Sequence, residues 1–577
     1  MKKGILSVFL LISLTLVAAQ AYCGPETATS PIPVDELNIA GKARNKQGKA
    51  LRDAVVHVFI DGRECGSNKE FRVSGTGVFQ VDVSLPAGMI AGGKVEIELT
   101  KPLYKSSGRI PVTAVTRGND TARGGILYLA HADVTLDREL TPAFWISTLV
   151  LIAVILLISF ELMHRTLAAF AGASLLLFIT YTLGTFNSDY FILSFEDAMR
   201  AIDMNVVFLL MGMMIIVGVL KKTGVFQWLA CRCYGIARGN IFVLASILLF
   251  VTAFISAFLD NVTTMLLTVP VTIEIASTLK VNPITILIPE VFASNIGGAA
   301  TLIGDPPNVM IGSYAHLTFV DFAKNLTIVN CVALVIAIIY FICLFKKDYL
   351  KSEPVDVQRM LEHLKEEYKI IDRALLIKCG VILGVTILLF LVHGKLNMEP
   401  CIAALIGAAG LMVISRIDIV EMLEQEIEWP TLIFFVMLFI VVAGAEETGL
   451  IQAIADWVKE ISRGSPVVAI LMILWISALA SAVIDNIPLT ATMLPVVAYL
   501  SSSIPGVRGG VLWWALALGA CLGGNGTMIG ASANVVTVGL LERAGYPVSF
   551  KEYAKIAFIP MLITLGICMV WLLMLEM

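Results

Sequence analysis

Hydrophobic and polar positions obey two different rules along this chain. Between residues 36 and 138 they alternate with period two. Val55, His57 and Phe59 stand against Val56, Val58 and Ile60, and Phe79, Val81, Val83 and then Val95, Ile97, Leu99 continue the pattern. Asp61-Gly62, Ser74-Gly75-Thr76-Gly77 and Gly92-Gly93 punctuate it. Short alternating runs separated by turn residues predict a small all-β sandwich. From Pro142 onward the rule changes to long apolar runs. Those long enough to span a bilayer lie near 143–162, 167–185, 205–220, 325–345, 374–392, 400–415, 430–447 and 555–575. Between them sit two regions of one design. Each starts with an apolar arm (241–259 or 466–484), meets an Asp-Asn pair, continues as a second arm (262–279 or 489–500), and ends in a segment interrupted by glycines (284–312 or 511–541).

The two regions are copies. Ser256-Ala257-Phe258-Leu259-Asp260-Asn261 returns as Ser481-Ala482-Val483-Ile484-Asp485-Asn486, 225 residues later. Gly297-Gly298-Ala299-Ala300-Thr301-Leu302-Ile303-Gly304-Asp305-Pro306-Pro307-Asn308 returns as Gly523-Gly524-Asn525-Gly526-Thr527-Met528-Ile529-Gly530-Ala531-Ser532-Ala533-Asn534, 226 residues later. Two motifs repeating at nearly one offset mark an internal duplication. Polar, Gly-interrupted segments in matching places of two membrane halves point to a transporter binding site.

Composition agrees with the membrane reading. The chain has 577 residues, 58% of them hydrophobic and only 15% charged, with a mean hydropathy of +0.86. The net charge of −4 offers no basic footprint for nucleic acid. The sequence also has no Gly-x4-Gly-Lys-Ser/Thr loop for nucleotide, so neither ATP-driven transport nor a soluble enzyme is predicted. Cys231-Arg232-Cys233 has no companion His or Cys cluster, and it reads as apolar packing. His57 and His131 are isolated and read as structural.

The domain plan follows. Residues 1–21 read as a signal peptide, with Lys2 and Lys3, an apolar core, and Ala19-Gln20-Ala21 as cleavage site. Residues 22–35 form a linker and 36–138 the β-domain, an adhesion or assembly module on the extracytoplasmic (periplasmic) side, where Cys23 and Cys65 could pair. Repeat 1 spans 142–345, a cytoplasmic linker 346–373, and repeat 2 spans 374–577, with Val357–Tyr368 a surface helix in the linker. Loops assigned to the inside hold eighteen Lys and Arg, from Arg165 to Lys555; short outside loops hold six. If each Asp-Asn arm pair is a hairpin returning to its own side, each repeat crosses five times. An odd number inverts one repeat relative to the other.

The polar motifs carry the chemistry. The tips Asp260-Asn261 (with Thr263) and Asp485-Asn486 (with Thr490) would offer carboxylates and carbonyls around a small polar space. That suits Na⁺ at Asp260, Asn261, Asp485 and Asn486, or a proton on Asp. The glycine pairs would admit backbone conformations that other residues resist. Asp305-Pro306-Pro307 reads as a helix start, with Asp305 its N-cap. Unwound carbonyls before such a start suit a cation, and its free N–H groups suit an anion. Asn295, Gly298, Thr301, Asn308, Thr490, Asn525, Thr527, Ser532 and Asn534 are the candidate substrate-binding residues. Asp305 is replaced by Ala531 and Pro306 by Ser532 in the second copy, so the first site is expected to be the cation- or proton-linked one, with Asp305 in the coupling group.

Ser256–Pro270 and Asn295–Asn308 resemble the ion transporter superfamily, in particular the branch of arsenite permeases, NhaD-type Na⁺/H⁺ antiporters and the melanosomal P protein. The resemblance covers roughly residues 140–577. It implies an all-α polytopic fold of two inverted repeats, each of five transmembrane helices with a re-entrant hairpin and a broken helix. It also implies a scaffold that forms a homodimer and an elevator-like movement. Related dicarboxylate carriers have Ser-Asn-Thr at the tip; the Asp-Asn tips here favour a carrier with a titrating carboxylate. The expected function is a secondary active transporter in the cell (inner) membrane, coupled to Na⁺ or H⁺ and needing no other cofactor. Its cargo would be a small ion or small anionic solute such as arsenite or a carboxylate. A passive anion channel, or a sensor whose β-domain binds a ligand, is the alternative.

Overall fold

The computed structural model describes residues 34–577 except 46, 47, 49, 53, 66–70, 75, 87–89, 91, 92, 102, 113, 114, 117–125, 351–367, 505 and 507–509. The signal-peptide segment, Cys23 and nearly all of the proposed linker helix therefore lie outside the described residues. The chain divides into two compact units, Met1–Glu139 and Leu140–Met577.

The first unit is built of strands. In chain order they are β1 (Val34–Asn45), β2 (Val55–Ile60), β3 (Arg63–Cys65), β4 (Phe71–Arg72), β5 (Val78–Pro86), β6 (Val95–Thr100), β7 (Ile110–Pro111), β8 (Val115–Thr116), β9 (Leu127–His131) and β10 (Val134–Leu136). They form two five-stranded sheets. One runs β10-β1-β9-β8 with β5 also on β1; the other runs β3-β2-β6-β7 with β4 also on β2. The Asp-Gly signal between β2 and β3 is a tight hairpin turn. Both residues have positive φ (49° and 80°), and Ile60 pairs with Arg63 across it. Val56, Val58, Ile97 and Leu99 are buried, as the alternation requires. His57 is held between Glu64 (2.8 Å) and Thr100 (3.1 Å), a structural placement.

The second unit is helical, and its principal helices come in two sets. The first set is α1 (Pro142–Ser159), α2 (Arg165–Tyr181), α3 (Met204–Lys221), α4 (Val225–Ala237), α5 (Ile241–Ser256), α6 (Asn261–Thr278), α7 (Ile284–Gly298), α8 (Pro306–Tyr314) and α9 (Phe319–Leu344). The second is α10 (Arg373–Val392), α11 (Pro400–Ser415), α12 (Trp429–Thr448), α13 (Leu450–Ser462), α14 (Pro466–Ser481), α15 (Asn486–Ser503), α16 (Val511–Gly523), α17 (Ser532–Arg543) and α18 (Phe550–Glu576). From α3 and α12 through the hairpin arms, corresponding helices start 225 residues apart. Among the described residues seven helices are long and apolar enough to cross a membrane, α1, α3, α9, α10, α12 and α18 among them. The arms α5 and α14 and the first broken halves α7 and α16 are shorter apolar helices. So is α11: at sixteen residues it reaches only roughly 24 Å, less than the full hydrocarbon span expected of it.

The glycines of the broken segments act differently from the expectation. None of Gly297, Gly298, Gly304, Gly523, Gly524 and Gly530 is among the residues with positive φ. They are there because backbones touch. A Cβ on Gly297 would lie 2.0 Å from the Ala253 carbonyl oxygen, and one on Gly523 would lie 2.4 Å from that of Ala478. The two contacts are equivalent in the copies, and they seat each hairpin arm directly on its broken helix, the close approach that small residues permit in membranes.

This close seating is testable. Gly297→Ala and Gly523→Ala should each destabilise the detergent-solubilised protein by at least about 1–3 kcal/mol, since the carbonyl has nowhere to go. Gly380→Ala, which meets nothing within 4 Å in α10, should be neutral or mildly stabilising. Thermal melts of the three variants check it; equal melting of all three would refute the close-contact account.

Candidate functional site

Each break in the broken helices strips carbonyls of their helical partners, and one side chain restores them. Asn308, two residues into α8, donates from Nδ2 toward the carbonyls of Gly298, Ala299 and Thr301, the last at 2.8 Å. Asn534 does the same in the second copy toward Gly524 (2.8 Å) and Thr527 (2.9 Å). The threonines then tie each break to its hairpin tip: Thr301 donates to the Ala257 carbonyl and Thr527 to that of Ala482. The carbonyls opened by each break are thus met by side chains, though Asn525 Nδ2 in the second break has no partner among the described residues.

The tips are helix starts. Asp260 accepts from the Thr263 N–H at 3.0 Å, and Asp485 from the Ile487 N–H at 3.0 Å, so both carboxylates cap α6 and α15. Thr490 donates back to the Asn486 carbonyl at 2.7 Å. Asp305 departs from expectation. It occupies the N-cap position of α8 with extended backbone but makes no capping hydrogen bond. Its carboxylate instead receives Asn486 Nδ2 at 3.3 and 3.4 Å, bridging the first break to the second tip. Ser532, its neighbour in the aligned motif, donates to Asp485 Oδ2 at 2.7 Å. The Asp305/Ala531 and Pro306/Ser532 differences between the copies therefore lie at one place.

That place is a cavity of about 40 Å³. Among the predicted residues Asp260, Asn261, Asp305, Asn486 and Ser532 line it, together with apolar groups such as Leu209, Met213 and Ile303. Asp485 adjoins it through Ser532. The remaining predicted residues do not line it. Thr263 contributes only its N–H to the cap, and Gly298 packs its backbone against Gly304. Thr301, Thr490 and Thr527 are spent on carbonyls. Asn295, Asn525, Asn308 and Asn534 form a buried seam behind the cavity. In it Asn261 donates to Asn295 (3.0 Å), and Asn295 donates to Asn525 (2.9 Å) and Asn534 (3.0 Å). In the aligned motif Cys521 takes the place of Asn295, and its thiol donates to Asn308 at 3.6 Å, the reciprocal contact.

Three cavity residues escaped the sequence reading. Arg165, counted there as a loop charge, begins α2 and turns its guanidinium inward, donating to Ser532 Oγ (2.8 Å) and Thr431 Oγ1 (2.8 Å). Glu428 accepts from Thr431 at 3.0 Å. Neither Arg165, Glu428 nor Thr431 belongs to the copied motifs, and the signal that could have found Arg165 and Glu428 is a charged residue placed at the very end of a long apolar run. The lining thus holds three carboxylates, Asp260, Asp305 and Glu428, and one guanidinium.

Comparison with known proteins places this architecture. The citrate transporter family model matches residues 155–519, which leaves the β-domain outside the match. An uncharacterized transporter of Mycobacterium tuberculosis is 40% identical over 429 residues, covering 74% of this chain and 97% of its own. The human P protein is 35% identical over 501 residues, covering 73% of this chain and 59% of its own. Among solved structures, the YdaH transporter of Alcanivorax borkumensis superposes with a TM-score of 0.50, at 16% identity, over 71% of this chain and 98% of that one. At that identity the likeness is one of fold.

Replacing Asn534 by Ala leaves the Gly524 and Thr527 carbonyls without their donor in a buried setting. At about 1–3 kcal/mol for each of the two stranded groups, the variant should lose roughly 2–6 kcal/mol and purify as aggregate or melt early. Asn534→Ser, a shorter donor, should lie between it and wild type. Size-exclusion profiles and melting temperatures decide the ranking.

Proposed function

The chain belongs to the CitMHS citrate transporter family of the ion transporter superfamily, and from that premise we propose that it is a secondary active transporter driven by Na⁺ or H⁺. It is a multi-pass membrane protein and its relatives are transporters. The observation that carries the finer reading is the cavity between the two hairpin tips. Carboxylates from α6 and α8 meet an amide from α15 there, around a space sized for an ion and its water rather than for a drug-sized solute. Hard oxygen donors of this kind suit Na⁺, and a carboxylate suits a proton. The proposed coupling site is Asp260, Asn261, Asp305 and Asn486, with Asp485 acting through Ser532.

The inverted arrangement has support of its own. Lys221 pairs with Glu426 (3.2 Å), Lys222 with Glu421 (2.9 Å), and Thr166 donates to the Pro430 carbonyl (2.7 Å), which gathers the end of α3 and the starts of α2 and α12 at one end of the bundle. The Thr223 carbonyl, beside the start of α4, accepts from Ile371 in that same region. The open end of the α5–α6 hairpin packs near α4, whereas that of the α14–α15 hairpin packs near α13, where Tyr499 donates to Asp456. Since α4 follows the end of α3 and α13 follows the far end of α12, the hairpins enter from opposite faces, as alternating access requires. On the same reading the Lys/Arg-rich end faces the cytoplasm of the cell (inner) membrane, the β-domain faces outward, and a homodimer forms through the scaffold helices.

A second reading rests on Arg165. Its guanidinium, with Ser532 and Thr431, is the one cationic group lining the cavity among the described residues, and it could receive a small anion once released from its hydroxyl partners. A passive anion channel would use the same group without a coupling ion.

Proteoliposomes with a proton-loaded interior and a pH dye separate these. Na⁺ added outside should drive proton movement in wild type, and Asp260→Asn should lower the initial rate at least about tenfold, a loss of about 1.4 kcal/mol of transition-state stabilisation. A wild type silent to Na⁺ would refute cation exchange. Uptake of an anion that requires a proton or Na⁺ gradient and is lost in Arg165→Ala would then favour the second reading, and large gradient-independent currents the channel.

A further inference from the structure

Away from the cavity, one acidic side chain among the described residues is wholly inside the membrane unit. Glu290, midway along α7, is fully buried. It does not line the cavity. At the 226-residue offset of the motif it contributes to, its counterpart is Leu516, so packing of this fold does not require an acid here. Thr252 of α5 donates to Oε1 at 2.8 Å. Oε2 has no hydrogen-bond partner, and neither has Thr272 Oγ1 of α6, which is also buried. Thr268 and Thr272 both lie near enough for their hydroxyls to act on the carboxyl.

We propose that Glu290 is a proton-binding site that fastens the first hairpin to its broken helix, separate from the central cavity. A proton on Oε2 makes it a donor, and a small closure of the neighbouring Thr272 hydroxyl onto it would satisfy both orphan atoms while Oε1 keeps its bond from Thr252. An ionised carboxylate in the same place would be fully buried with no cation beside it among the described residues, which strongly disfavours the charge. The surroundings offer no countercharge among the described residues. Helix α5 has no titratable side chain, and α6 has only Glu274, which is engaged by the Tyr368 hydroxyl. From α4 the Cys233 thiol faces Glu290. No charged group of α9, α16, α17 or α18, which also pack on α7, acts on it.

The consequence is mechanical. The carboxyl faces both arms of the hairpin: Thr252 on one donates to it, and Thr272 on the other is placed to accept its proton once the pair closes. Release of the proton leaves a charge on a fully buried carboxylate, so α5 and α6 must part from α7 to hydrate it. Proton occupancy therefore favours the seated hairpin. This consequence rests on the transporter reading; the protonation itself does not.

The test reads the proton directly. Infrared spectra of the purified full-length protein at pH 7 should show a carbonyl band of a buried, protonated carboxylic acid. Glu290→Gln should lose that band, while Asp305→Asn and Asp260→Asn keep it. Thr272→Val, which leaves the carboxyl but removes its acceptor, should shift the band to higher wavenumber, and this variant serves if Glu290→Gln does not fold. In proteoliposomes that show coupled proton movement, Glu290→Gln should lose it. A band unchanged by Glu290→Gln and Thr272→Val overturns the proposal. So does a band abolished by Na⁺ alone, which would make the occupant a monovalent cation. A wild type that transports nothing defeats the transporter reading yet leaves the infrared result standing, so the two fail separately.

Discussion

Everything in the membrane unit depends on how two interrupted helices satisfy their backbone inside a bilayer. Hydrocarbon supplies no donors, and each unmet carbonyl there costs several kcal/mol. A helix break at that depth is affordable only if protein closes it. Here one asparagine per copy does so, Asn308 and Asn534, each set in the first turn beyond its break and reaching back over it. A threonine in each break then bonds a carbonyl of the hairpin. The glycines let the backbones come close enough for these short side chains to reach. Remove any one of these elements and the others lose their geometry, which explains why the motif is long and why it occurs whole in both copies.

The same constraint joins the copies to each other. Helix α8 packs on α15 and α17 on α6, so each broken helix ends against the other copy's hairpin. Asn295 donates to Asn534, and Cys521, at the matching position, donates to Asn308. Reciprocal contacts of this kind are those a two-fold relation produces. Upon that near-symmetry the chemistry is asymmetric. Asp305 against Ala531 and Ser532 against Pro306 put an acid at one break and a hydroxyl at the other, and each reaches a tip of the second copy: Asn486 for the acid, Asp485 for the hydroxyl. The cavity is therefore acidic on one flank, while the guanidinium of Arg165 neutralises the other.

Much of this was legible in the sequence because it is written locally. The alternation of β2 and β6, the Asp-Gly turn, the hairpin arms and the breaks all follow from period and punctuation within a dozen residues. The offset of 225 between Asp260 and Asp485 exposed the duplication without any structure. What stayed hidden is long-range. Arg165 and Ser532 are 367 positions apart, and Asp305 and Asn486 are 181. Only the packing of helices brings such pairs together. Asp305 shows the limit well: its local context, an Asp before two prolines, reads as an N-cap, yet the acceptor is drawn off by an amide from the other copy. The threonines differ in the opposite direction. Polar residues in apolar runs suggested ligands, but Thr301, Thr490 and Thr527 serve the backbone, the commoner employment of a buried hydroxyl.

If the proposed transport reading holds, the position of the cavity identifies contacts that a movement of one helix group against the other would break. Helices α1, α2, α3, α10, α11 and α12 pack on one another, and the hairpins pack on the broken helices and on α9 and α18. The cavity lies on the seam between these two groups. Arg165 and Thr431 belong to the first group, Ser532 to the second, and the guanidinium spans the seam at 2.8 Å to each hydroxyl. Asn205 of α3 and Ser313 of α8 make a second crossing at 2.9 Å. Displacing one group against the other breaks both bonds, whereas the internal bonds of the breaks, from Asn308 to Thr301 and from Asn534 to Thr527, travel intact with the second group. A hydrogen bond to a charged group is worth about 1.5–3 kcal/mol. On the proposed transporter reading, that is large enough to hold the closed cavity in place and small enough for an ion bound beside Arg165 to shift the balance.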